Sequence, residues 1–243
     1  MKRGWFRRSD VRQQDWPARM QGLAGDSRNE ALARFYQGPW PAADTPMEGV
    51  QMAALDLETT GLDWRRHAIV SIGIVPFTLD RIRPSKGFYR LVKPRRKLEA
   101  RSVTIHRITH ARLADAPDLA EIADELLAAL AGRVAVVHYR AIERRFLHQA
   151  FRLRFGEGLL FPLIDTMEIE RRVLRRQRRL AWFSPPARRR QQSLRLADVR
   201  RRYGLPEYSP HHALTDALAT AELLQAQVAH HGHRDDAVSA WWQ

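Results

Sequence analysis

Cysteine is absent from the 243 residues, which excludes disulfides, thiol nucleophiles and thiolate metal sites and fits a reducing compartment. Any metal would have to be held by carboxylates or histidines. Long apolar runs are missing as well: no segment approaches the roughly 20 residues of a membrane span. The basic opening MKRGWFRRSDVRQQDW lacks the apolar stretch of a signal peptide, so the expected location is cytoplasmic, with no membrane partner. Acidic residues fall short of basic ones by 27 to 41, giving a formal net charge of +14, and lysine is scarce, at 4 against 37 arginines. That deficit of negative charge points to a polyanionic partner. Guanidinium forks onto phosphate oxygens and stacks on bases, which favours nucleic acid. With 44% apolar residues, the chain has material for one sizeable core and is not largely disordered.

Along the chain, residues 1–46 read as a basic, Trp-rich N-terminal extension with one short helical pattern, NEALARFYQ. Residues 47–230 read as a single catalytic-sized domain and 231–243 as a C-terminal tail, in which HHGH is a frayed polar end. VQMAALDL, HAIVSIGIVPF and GFYRLVKP are three strands separated by the turn signals TTGLD and DRIRPSKG. PDLAEIADELLAALAG predicts an amphipathic helix opened by Pro117 and closed by Gly132. RVAVVHY and FPLIDT are short buried strands, and AIERRFLHQAFRLRFG and MEIERRVLRRQRRL are helices. AWFSPPARRRQQ predicts a mobile loop, and SLRLADVRRRYG a short helix capped by Ser193 and stopped by Gly204. ALTDALATAELLQAQVAH carries an apolar stripe at Ala217, Ala221, Leu224 and Val228. Three strands followed by alternating helices and strands predict an α/β fold with helices on the faces of a mixed sheet.

The stretch DLETTGLD places Asp56 and Glu58 at the end of an apolar strand. Side chains alternate along a strand, so the two carboxylates point the same way, roughly 7 Å apart along the backbone. Such a pair is tolerable in solvent, with one member protonated, or with a cation between them. Partners could come from VVHYRAIERRFL, FPLIDT or HHALTDALATAELL. In the last, His211 lies on a loop five residues ahead of Asp216, which projects from the first turn of a helix. A fixed carboxylate could then help hold a hard cation while the imidazole approaches the attacking water. Two such ions about 4 Å apart can clamp both the attacking and leaving oxygens of a phosphodiester.

DLETTGLD, IHRITH at 105–110, VVHYRAIERRFL and HHALTDALATAELL resemble, in order, the motifs of the DEDDh 3′→5′ exonuclease family, including the proofreading epsilon subunit of DNA polymerase III and its stand-alone relatives. The resemblance covers about Gln51 to His230. It implies a ribonuclease H-like mixed five-stranded sheet with helices on both faces, two Mg2+ or Mn2+ ions, and release of nucleoside 5′-monophosphates from a free 3′ end, DNA being favoured. It leaves two alternatives for partners: association with a polymerase or repair protein, as for the epsilon subunit, or action alone, as for the stand-alone relatives. Asp56 and Glu58 match the first motif's metal ligands, Asp216 the third motif's, and His211 its general base; His212 is out of step by that count. Where the family has an aspartate five residues after its second-motif histidine, this chain has Glu143 after His138, a departure by one methylene that bears on metal geometry and on Mg2+ against Mn2+. Tyr139 stands where asparagine is frequent in the family.

Thr59, Thr60, Gly61 and Leu62 are expected to form the turn that approaches the terminal nucleotide, although TTG is also ordinary turn chemistry. His106 and Thr109 border the substrate groove or merely begin a helix, and Tyr139 contacts the 3′ nucleotide. The thirteen arginines between Arg171 and Arg202 are expected to track a nucleic-acid backbone in part. Two other readings remain: an RNA-trimming exonuclease of the same fold, and a nucleic-acid-binding module in which Glu143 marks weakened catalysis.

Overall fold

The computed structural model describes residues 15–95, 108–180, 192–231 and 233–243. Five strands, β1 (Met52–Thr59), β2 (Ile69–Phe77), β3 (Phe88–Leu91), β4 (Val134–Val137) and β5 (Leu163–Asp165), form one sheet in the order β3-β2-β1-β4-β5. β1 runs antiparallel to β2 and parallel to β4, and β5 is parallel to β4. The C-terminal ends of β1, β4 and β5 therefore share one edge of the sheet. Nearly every residue of β1 and β2 is buried, as expected for strands covered on both faces. This is the mixed, helix-covered sheet that the motifs imply.

The described helices are α1 (Trp16–Asp26), α2 (Glu30–Tyr36), α3 (His110–Ala114), α4 (Ala123–Leu130), α5 (Ala141–Phe155), α6 (Thr166–Leu180), α7 (Leu196–Arg202) and α8 (Ala213–His231). α8 packs across β1 and β2, and the stripe Ala217, Ala221, Leu224 and Val228 is buried as its periodicity predicts. Gly156, at φ 76°, ends α5 in the left-handed conformation that glycine adopts without penalty.

Several boundaries differ from expectation. α4 begins at Ala123, not near Pro117. The intervening turn is held by Asp118, whose Oδ1 accepts from Ala120 N–H (2.9 Å) and whose carboxylate binds Arg154 of α5 at 2.6 Å. That side chain competes with helix formation for the local N–H groups. Ser193 does not cap α7; its hydroxyl accepts from Arg195 N–H two residues on. The segment predicted as a mobile loop lies almost wholly outside the described residues.

The two segments set apart by composition contribute to the same core. Trp16, Met20, Leu32, Phe35 and Tyr36 from the first, and Val238, Trp241 and Trp242 from the last, join the cluster built on β1. Each such buried side chain contributes about 1.5–3 kcal/mol. Gln243 N–H completes the attachment by donating to Leu163 carbonyl (2.9 Å). The HHGH segment is not frayed where described: His231 ends α8, and His233 is buried against Asp236 and Trp241.

Candidate active site

Asp56 and Glu58 project from the last half of β1 on one face, opposite Gly73 and Ser71 of β2. Gly73 explains how a third carboxylate reaches them. A Cβ at Gly73 would stand 2.2 Å from the Ala213 carbonyl carbon and 2.3 Å from Leu214 N. Only a residue without a side chain lets the first turn of α8 lie this close to the sheet. Asp216, in that turn, then comes to Asp56 and Glu58, and ligand oxygens of the three lie within 4.8 Å of one another. Asp216 Oδ2 also accepts from His211 N–H at 2.8 Å, which fixes the loop carrying the histidine.

His211 has φ 70° and Tyr139 φ 91°, and among the described residues these are the non-glycine residues at positive φ. Such conformations cost about 1–3 kcal/mol each and collect at functional sites. His212 stacks on Tyr89 of β3, with ring centroids 4.7 Å apart.

Burial holds the carboxylates away from ionisation. Asp56 is pushed well above the usual carboxylate range by desolvation first, then by the charges of Asp216, Glu143 and Glu58. Glu58 is pushed up to about 7 by desolvation and Asp216. Asp216 is raised by burial, with His211 N–H opposing. Four such groups cannot all ionise side by side without protons or a cation between them. An all-oxygen donor set of this charge fits a hard divalent cation.

Glu143 stands outside the 4.8 Å group. It lies in the first turn of α5, 3% exposed, with its pKa raised well above the ordinary value by burial. Its Oε2 is buried with no hydrogen-bond partner among the described residues. A buried, unpartnered carboxylate oxygen beside Asp56 is the environment a cation would relieve.

The acid in FPLIDT plays a different part. Asp165, buried at the end of β5, accepts from Tyr139 N–H and Arg140 N–H (3.1 Å each) and from Met167 N–H (3.0 Å). It therefore ties the β4–α5 turn to the start of α6. His138 is also structural: its Nε2 donates to Leu194 carbonyl (2.8 Å), and its Nδ1 lies 2.8 Å from Thr166 Oγ1. Burial lowers its pKa, which keeps the ring neutral.

In the β1–β2 turn, Thr59 Oγ1 donates to Gly61 carbonyl (2.8 Å), and Thr60 Oγ1, itself buried, accepts from Ala68 N–H (3.0 Å). Gly61 abuts His67, whose Nε2 would be 2.6 Å from a Cβ. These residues shape the turn, and they leave Leu62, 80% exposed, at its tip. Tyr139 is 45% exposed beside the carboxylates' edge of the sheet. Thr109 caps α3, and His106 lies outside the described residues. Gly73 and Tyr89 were not singled out from the sequence; a glycine inside the strand pattern IVSIGIVPF was the available signal for the first.

A family model described as Exonuclease matches residues 53–224. The PolC-type DNA polymerase III of Thermotoga petrophila is 29% identical over 180 residues, covering 74% of this chain and 12% of that protein. The epsilon subunit of DNA polymerase III from Escherichia coli is 32% identical over 104 residues, 41% of this chain and 42% of that one. The chain thus spans less than half the length of either relative. Among solved structures, the nuclease domain of 3′hExo, a DEDDh family member bound to rAMP, is similar with a TM-score of 0.60 at 15% identity, covering 79% of this chain and 96% of that one. That likeness concerns the fold.

Proposed function

The chain belongs to the exonuclease family, and from that premise we propose that it is a 3′→5′ exodeoxyribonuclease releasing nucleoside 5′-monophosphates by two-metal-ion hydrolysis. The observation that carries the reading is the convergence of Asp56, Glu58 and Asp216 within 4.8 Å, with the unpartnered oxygen of Glu143 behind them. These four would hold two Mg2+ or Mn2+ ions. When bound, the ions supply Lewis-acid polarisation of the phosphodiester and offset charge at the attacking and leaving oxygens.

The protein's own groups do the rest. His211 sits on the exposed loop and takes the proton of the attacking water at its imidazole, a role worth about 10²–10⁴-fold. Its backbone N–H, bound to Asp216, keeps base and ligand in register. The turn of Thr59, Thr60, Gly61 and Leu62 is assigned to border the terminal nucleotide, and exposed Tyr139 to contact it. His106 is assigned to the same groove from its motif alone. DNA is favoured because two relatives are named as DNA polymerase III; the same names support association with a polymerase, and a repair protein is the other partner the motif resemblance suggests. The rAMP bound to the 3′hExo domain favours a second reading, trimming of RNA.

The test is a time course on 5′-labelled single-stranded DNA, 3′-overhang DNA and matched RNA in Mg2+ or Mn2+, beside an Asp56→Ala control. A ladder of successively shorter DNA products, absent from the control, is expected. A stronger RNA ladder would exchange the substrate. No ladder with either metal, despite binding, would replace the enzyme by a binding module.

A further inference from the structure

α6 joins the site edge to the far side of the molecule. It starts at Thr166, directly after Asp165, whose carboxylate holds the Tyr139 turn. It ends beside the C-terminus of α8, where Arg176 acts electrostatically on His231 and His233. One side of α6 is buried through Ile169, Val173 and Leu174. On the other, Arg171, Arg175 and Arg178 fall within about 60° of one another around the helix axis. Glu168 neutralises the first turn by pairing with Arg171 and Arg172. Beyond it, Arg175 and Arg178 are exposed and have no ion-pair partner among the described residues. Like charges three and four residues apart destabilise a helix by a few tenths of a kcal/mol, a repulsion that an anion bound along this face would relieve. At 1.5 Å per residue, the two guanidinium-bearing positions stand about 14 Å and 18 Å along the axis from Thr166.

We propose that this face of α6 is a track for the upstream sugar-phosphate backbone of the single strand whose 3′ end lies at the carboxylates, with Arg175 and Arg178 each contacting a phosphate. The proposal rests on the nuclease reading. It adds that binding strength depends on strand length, because only a strand several nucleotides long reaches both arginines.

The test compares wild type with Arg175→Glu/Arg178→Glu, and with Arg34→Glu/Arg81→Glu as a control of equal charge change at exposed positions elsewhere. Binding of oligothymidylates of about 20 and about three nucleotides is followed by fluorescence anisotropy in EDTA over a salt series, and hydrolysis of both is followed in Mn2+. The α6 variant is expected to bind the long strand at least ~10-fold more weakly, with a log affinity against log salt slope smaller by about 1.4, at ~0.7 per phosphate contact. KM for the long strand should rise, while kcat and short-strand turnover hold. Affinity and slope equal to wild type, or equal losses in both double variants or on both lengths, would overturn the track. If wild type binds but cleaves nothing, the nuclease reading fails on its own, and the anisotropy data still decide the track.

Discussion

Glu58→Gln tests the electrostatics of the site without any substrate. In the folded, metal-free protein the Glu58 carboxyl is pushed up from its ordinary 4.5 to about 7, so the folded state holds this proton more tightly than the unfolded chain does. Stability from this group is complete below pH 4.5 and is lost as pH rises through about 7. At 1.36 kcal/mol per pH unit the loss is about 3 kcal/mol, or on the order of 6–12 °C in Tm for a domain of this size. Asp56 and Asp216 shift in the same direction, each chiefly by burial, and because the three groups interact, their shares are not added to this figure. Thermal unfolding by circular dichroism, in EDTA at about pH 5 and about pH 8, should show wild type losing stability with pH more steeply than Glu58→Gln. Adding Mg2+ or Mn2+ should raise the wild-type Tm more at the higher pH, where fewer protons compete. Equal pH slopes for the two proteins, or equal metal stabilisation at both pH values, would refute the reasoning.

Glu143→Asp shortens the buried side chain by one methylene, with a stability cost of about 1 kcal/mol, and should lower the ratio of Mn2+- to Mg2+-supported cleavage, read from initial rates. Gly73→Ala forces a Cβ against the Ala213 backbone; Tm should fall by several degrees and cleavage should drop with it. Asp165→Asn removes one of the two carboxylate oxygens that hold Tyr139, Arg140 and Met167, and urea unfolding should report a loss of about 2–4 kcal/mol. His211→Ala should reduce kcat by about 10²–10⁴-fold while Mn2+ binding, measured calorimetrically, persists.

The parts of the site visible in the sequence depend on short spacing. Strand alternation alone puts Asp56 beside Glu58, and one loop joins His211 to Asp216. What sequence could not place was decided by groups distant along the chain. Asp165 and Glu143 are both acids at the edge of apolar segments, yet one is satisfied by N–H donors from a neighbouring turn, while the other keeps an oxygen, Oε2, with no partner among the described residues. Trp16 and Trp242 look alike as polar-flanked tryptophans in weakly patterned segments, and only the completed sheet shows that they share its core. The start of α4 was misplaced because Asp118 spends its carboxylate on a turn and on Arg154, a partner 36 residues away.

Gly73 sets the gauge of the whole centre. How near the Asp216 backbone comes to β1 is set where main chain meets main chain, at Ala213 and Leu214. Moving the Asp216 main chain away from β1 would lift the first turn of α8, and with it the buried stripe that binds the helix to the sheet. The spacing of the acidic cluster is therefore set by the seating of a helix, and the same contact that keeps the fold closed also acts as the site's calliper.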